Sequence, residues 1–243
     1  LGDSLLDTIK VKRNGAMVSA EFELDATDVR TAATVFVPAT FAARSAARRM
    51  QDTNSVKLIM LGLLNYESAH GHFPAATVLG PDGKTVHSWR VAILPYMEQN
   101  RLYDEYRQNE PWDSPHNRKL IDRIPDVYRS ALAPRNSTNS SFFVFTGPDA
   151  AFDGTVERKN REIHDGTSKT LFVIEAKRDI PWTKPEDIPF DLAKDLPDLP
   201  GHRAIGNHAG FGDGASRFLS SDIDKRVLKK LITHSGGEAI SDY

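Results

Sequence analysis

The sequence predicts an α+β chain, with one dominant helix, several shorter ones and an antiparallel sheet. Three observations carry that expectation. Residues 41–74 run as one helical pattern, ending at a Gly71-x-x-Pro74 stop. Phe142 to Thr146 and Thr170 to Glu175 are short apolar, β-branched or aromatic runs that read as strands. Two stretches, residues 9–24 and 204–220, have the turn residues and flanking apolar pattern of hairpins.

Residues 9–24 come first. Asn14-Gly15 is a favoured two-residue hairpin turn, and it predicts Val11 opposite Val18 and Ile9 opposite Ala20. Two strands alone are marginal, so residues 1–36 are expected to be a hairpin and linker at the end of a preceding domain, with residues 37–243 as the main domain. Asp28 is a candidate cap for a segment to Val35, which Pro38 should kink or interrupt.

The helix is expected from Ala42 to about Ser68. Val56, Ile59, Met60, Leu63 and Glu67 share one face at steps of three and four. Leu58, Leu61 and Leu64 make the other side apolar too, which predicts burial on more than one side. Its first half, rich in alanine and carrying Arg44, Arg48 and Arg49, is expected to be more exposed.

Beyond Pro74 a Gly80-Pro81-Asp82-Gly83 loop precedes a helical stretch, Ser88 to Arg107, broken at Pro95. Residues 110–134 are polar and irregular, with a rigid turn at Trp112 to Pro115 before a short helix. Asp165-Gly166 marks a turn before the second strand run. Five prolines between Pro181 and Pro200 rule out regular structure there. Residues 204–220 form a hairpin around Gly210 to Gly214. Asp222 is the expected cap of a last helix, Ile223 to His234, buried through Val227, Leu228, Leu231 and Ile232.

Bulk properties narrow the function classes. A net charge of −2 gives no electrostatic basis for nucleic-acid binding. No run of 18 apolar residues is present, so no transmembrane segment is expected. With no cysteine there is no thiolate nucleophile, disulfide or cysteine metal site.

The side chains able to carry chemistry are His208, Asp213, Asp165 and Glu175, since histidine with carboxylates ligates metals or moves protons. Trp182 joins them as a residue that lines a sugar or peptide pocket, or else anchors a long loop on the core. Against a site stands the turn chemistry of Asp165-Gly166 and Asp213-Gly214, which explains both aspartates without any ligand. No metalloprotease, EF-hand, P-loop or nucleophile-elbow pattern occurs. The expectation is therefore no catalytic residue, no metal and no cofactor. Convergence of His208, Asp213, Asp165 and Glu175 in one cleft would favour the opposite reading.

Several ordered blocks resemble a known family. They are Val37 to Ala75 (VPATFAARSAARRMQDTNSVKLIMLGLLNYESAHGHFPA), Ser88 to Gln99 (SWRVAILPYMEQ), Trp112 to Asn117, Asp165 to Ser168, Pro181 to Pro185, Asp213 to Phe218 and Gly236 to Glu238. Together they resemble the planctomycete prepilin-like proteins of unknown function that carry a C-terminal H-x9-DG domain, also labelled solute-binding-like. The resemblance implies a type IV pilin-like fold, a long N-terminal helix laid across an antiparallel sheet. It also implies export to the cell envelope.

The chain departs from that pattern in three places. The family's hydrophobic stem is replaced by the hairpin and a short polar linker. Ten residues separate His202 from Asp213, and four separate His208 from Asp213, rather than nine. Asp52 and Ser130 stand where family members often have cysteine. If those cysteines pair, the same backbone should bring Asp52 and Ser130 together here, where a hydrogen bond between them would take the place of the covalent link.

The function expected from residues and resemblance together is a non-catalytic envelope or surface protein. Its partners would be proteins, self-assembly among them. The alternative is a small-ligand (sugar or peptide) binding or hydrolytic domain built on the C-terminal His and Asp residues.

Overall fold

The structure is a computed structural model that describes the backbone of residues 9–14, 17–22 and 26–237, with side chains from residue 37 to residue 237. Its elements, in order, are strands β1 (Ile9–Asn14) and β2 (Met17–Phe22), helix α1 (Ala26–His70), strands β3 (Thr77–Leu79) and β4 (Val86–Ser88), and helices α2 (Trp89–Ala92) and α3 (Asn100–Glu105). Strands β5 (Phe142–Phe143), β6 (Phe145–Thr146), β7 (Leu171–Glu175), β8 (Ile188–Pro189), β9 (Gly206–Phe211) and β10 (Ser216–Ser220) follow, and helix α4 (Lys225–Ile232) comes last. The chain is therefore mixed α+β with a long N-terminal helix and antiparallel sheets, as its residues predict.

Two units divide it, Leu1–Arg48 and Arg49–Tyr243. In the first, β1 and β2 pair antiparallel with Asn14 opposite Met17, Arg13 opposite Val18 and Val11 opposite Ala20. The expected pairing of Val11 with Val18 is thus wrong by two residues. The register leaves Gly15 and Ala16, which lie outside the described residues, between the paired ends. In sequence terms a Gly-x pair is as good a two-residue hairpin composition as Asn-Gly, so residue types alone did not decide between the two registers. Helix α1 is also not interrupted at Pro38.

The second unit is layered. Its central sheet is antiparallel in the order β10-β9-β7-β5. Residues 49–70 of α1 cover one face. Val56, Ile59, Met60 and Leu63 are buried there with Val173, Phe142 and Val144. On the other face Phe143, Ile174, Ala209, Phe211 and Leu219 pack with Leu228, Leu231 and Ile232 of α4. Alternate strand residues feed opposite cores, as a pleated sheet requires. A register shift between Leu171 and Val173 puts Phe172 into the helix-side core next to Val173.

Close approach of helix to sheet depends on Gly210. A Cβ there would lie 2.7 Å from Met60 Cγ and 2.9 Å from Val56 Cγ1. The helix stops as predicted. Gly71 takes φ +79°, and its N–H donates to Glu67 O at 2.7 Å.

Other expectations are corrected. Leu58 and Leu61 are each 51% exposed, so this helix buries one face rather than several. The run from Phe142 to Thr146 is split into two strands, one in the central sheet and one pairing in parallel with β8. Helix α4 is capped by Asp224, whose side chain accepts from Arg226 N, and not by Asp222. The Asp82 loop is flanked by a small hairpin of β3 and β4 that the polar sequence did not announce. Asp82 Oδ1 accepts from Lys84 N and Thr85 N, at 2.9 and 2.8 Å.

Candidate metal centre

Helix and strand periods together build the site. Asp52 lies one helical turn before Val56 on the buried stripe, and Met60 lies one turn after it. His208 lies two residues before Gly210 on β9, and so on the same face of the sheet. Since Val56 and Met60 sit over Gly210, Asp52 comes down over His208. Glu175 ends the neighbouring strand β7, where its Oε2 accepts from His208 N at 3.2 Å.

Each of Asp52, Glu175 and His208 offers one ligand atom, and the three atoms lie within 4.8 Å of one another. All are closed to solvent: Asp52 and Glu175 are 0% exposed and His208 4%. Asp52 is the best held. Its Oδ1 accepts from Ala131 N at 2.7 Å, and its Oδ2 from the Arg203 guanidinium, whose side chain is only 8% exposed. His208 Nδ1 lies 3.4 Å from Thr53 Oγ1, and its ring meets Phe218 edge-on at 5.2 Å.

Three buried polar atoms here have no hydrogen-bond partner: Glu175 Oε1, His208 Nε2 and Arg203 Nε. A buried polar group without a partner costs on the order of 1–3 kcal/mol, so their collection in one place calls for an occupant or a shared proton. Burial pushes the Glu175 carboxyl above its ordinary value, and the charge of Asp52 adds to that. The nearby Ser130 hydroxyl, the His208 N–H and Arg203 pull the other way, though Oε1 still lacks a completed hydrogen bond. Burial lowers the His208 pKa. Asp52 opposes that shift, while Arg203 and Arg49 add to it.

The predicted residues part company here. His208 and Glu175 meet. Asp165 does not join them: its carboxylate accepts from Gly236 N and Gly237 N, each at 2.7 Å, and ties down the chain after α4. Asp213 serves its own turn by accepting from Ala215 N at 2.9 Å. Trp182 is fully buried, donates to Ile121 O at 3.0 Å and stacks with Tyr128, so it anchors its proline-rich loop to the core. Asp52 was missed as a ligand candidate. Its signal was a carboxylate on the apolar stripe of the long helix, one turn before Val56.

Asp52 reaches the residue next to Ser130. The hydrogen bond goes to Ala131 N rather than to the Ser130 hydroxyl. A cleft of about 450 Å³ adjoins the site, lined by Ile174, Arg203, Asn207 and Leu219 but by none of the three ligand residues.

Residues 41–157 match a family described as a protein of unknown function (DUF1559). That span includes Asp52 and stops short of Glu175 and His208. No curated protein and no solved structure matches the chain.

Proposed function

We propose that this chain is a non-catalytic module of pilin-like form, exported to the cell envelope, with a structural or partner-binding role that includes self-assembly. The observation carrying this reading is the closure of its one His–carboxylate triad among the described residues. A catalytic base or nucleophile must touch substrate within hydrogen-bond reach, and these three side chains face the core. The pilin-like form is supported by a long N-terminal helix over an antiparallel sheet. Export and the envelope rest on the family resemblance in residues 37–243. Among the described residues no helix is long and apolar enough to cross a membrane.

The test has two parts. Purified protein offered ester, peptide and glycoside substrates should show no turnover. Sedimentation and cross-linking over a concentration series should show self-association. Saturable turnover lost on His208→Gln would replace this reading with the hydrolytic one.

A further inference from the structure

We propose that Asp52, Glu175 and His208 are the ligands of a single first-row divalent cation, which ties the long helix to two neighbouring strands of the central sheet. Geometry permits it. Bonds of about 2.0–2.2 Å let one ion touch atoms up to roughly 4.4 Å apart. The three ligand atoms already lie within 4.8 Å of one another, so small side-chain rotations suffice.

The independent pointer is the pair of unpartnered atoms. Glu175 Oε1 and His208 Nε2 are buried, accept nothing and donate nothing. A carboxylate oxygen and an imidazole nitrogen in that state are the lone pairs a cation uses. Arg203 on Asp52 Oδ2 does not close the site, because each carboxylate oxygen has two lone-pair directions.

The donor set selects the class of ion. Two carboxylates with one imidazole suit Zn²⁺, Mn²⁺ or Fe²⁺. Ca²⁺ and Mg²⁺ prefer all-oxygen shells, and the imidazole in this set argues against them. Two ionised carboxylates and a neutral histidine outweigh the single Arg203 guanidinium beside them, which leaves negative charge for a cation to meet. Uptake then removes the proton that burial favours on Glu175. Because the site is closed, the ion enters during folding. It is a structural cross-link and requires no turnover, so its failure would leave the non-catalytic reading standing.

The experiment refolds the whole chain in parallel with Zn²⁺, with Mn²⁺ and with EDTA, then removes loose ions by gel filtration. Elemental analysis should find about one equivalent of one of the two ions. That sample should melt at a higher temperature than the EDTA sample. Glu175→Gln and His208→Gln should lose both the ion and the melting shift, whereas Asp165→Asn and Asp213→Asn should keep them. If the triad variants do not fold, X-ray absorption on the wild-type sample decides. An imidazole nitrogen in the first shell is expected, and a shell without one overturns the proposal. It is equally overturned if wild type folds with no ion and an unchanged melting temperature, which would leave water or a shared proton at the triad. Folded triad variants that retain a full equivalent would overturn it too.

Discussion

Arg90–Asp187 and Arg203–Asp52 are both arginine–aspartate pairs withdrawn from solvent, and they differ in what surrounds the charges. Arg90 Nη2 meets Asp187 Oδ1 at 2.7 Å, its Nε donates to Ser140 Oγ and Phe142 O at 3.1 Å, and its Nη1 reaches Ser88 Oγ at 3.0 Å. Asp187 also accepts from Trp89 Nε1 and from Val144 N, at 3.1 and 3.0 Å. Burial pushes the Asp187 carboxyl up, and Arg90 together with those donors pulls it back. Around Arg203–Asp52, by contrast, three polar atoms remain without partners. A buried pair whose donors and acceptors are all matched is a fixed structural joint. One that gathers unmatched lone pairs is arranged for something further.

The largest effect should come from breaking the matched joint. Arg90→Met leaves Asp187 charged and buried without its guanidinium, and should cost about 3–5 kcal/mol in urea unfolding. A loss under about 1 kcal/mol, the scale of one ordinary hydrogen bond, would show that the network is not a structural joint. Leu63→Ala, in the core beneath α1, should cost about 2–5 kcal/mol. Leu58→Ala and Leu61→Ala should each stay within about 0.5 kcal/mol. Equal losses at positions 58 and 63 would mean that the helix buries both faces after all. Gly210→Ala forces Met60 and Val56 outward just below the triad, and should cost about 1–3 kcal/mol. Refolding it with Zn²⁺ or Mn²⁺ would show whether the triad needs the close approach of helix and sheet.

The elements set by local chemistry were legible in the sequence. Gly71 stopped the helix, the 206–220 hairpin turned at Gly214 with φ +85°, and the apolar run from residue 170 became β7. What periodicity could not supply was the direction of the sheet. Leu58 and Leu61 look as apolar as Leu63, and only the placement of β9 shows which stripe is covered. The site was half legible for the same reason. Glu175 and His208 were named as polar residues in strand-like runs. Asp165 and Asp213 were named with them because an Asp-Gly turn and a ligand aspartate look alike in sequence. Asp52 belongs to the triad only through the stacking of one helical stripe on one strand face. The Arg90–Asp187 joint was invisible, since Arg90 belongs to helix α2 and Asp187 to the distant proline-rich stretch, and their pairing follows from tertiary packing.

The variant that separates the two buried pairs most finely is Glu175→Gln in EDTA-treated protein. Glutamine keeps an acceptor for His208 N and mimics the protonated carboxyl that burial favours. At pH about 4.5, near the unfolded pKa of glutamate, the change should therefore stay within about 1 kcal/mol, the scale of one hydrogen bond. The sign at higher pH follows from linkage. Since the folded pKa of Glu175 is raised, the folded state binds more protons than the unfolded state as pH climbs from the unfolded value towards the folded one. Stability from this group is full below that window and is lost on the way through it. His208 works in the opposite direction. Its folded pKa is lowered, so stability falls as pH drops below about 6.5. Comparing wild type with Glu175→Gln over the same pH series cancels most of the histidine contribution. The variant should gain on wild type as pH rises from the unfolded value through the raised folded one, because it has no proton to lose. Parallel curves would mean that Glu175 ionises in the folded protein as easily as in the unfolded chain. Arg203 and the neighbouring donors would then offset the burial of the triad in full, and its unmatched atoms would carry no electrostatic consequence.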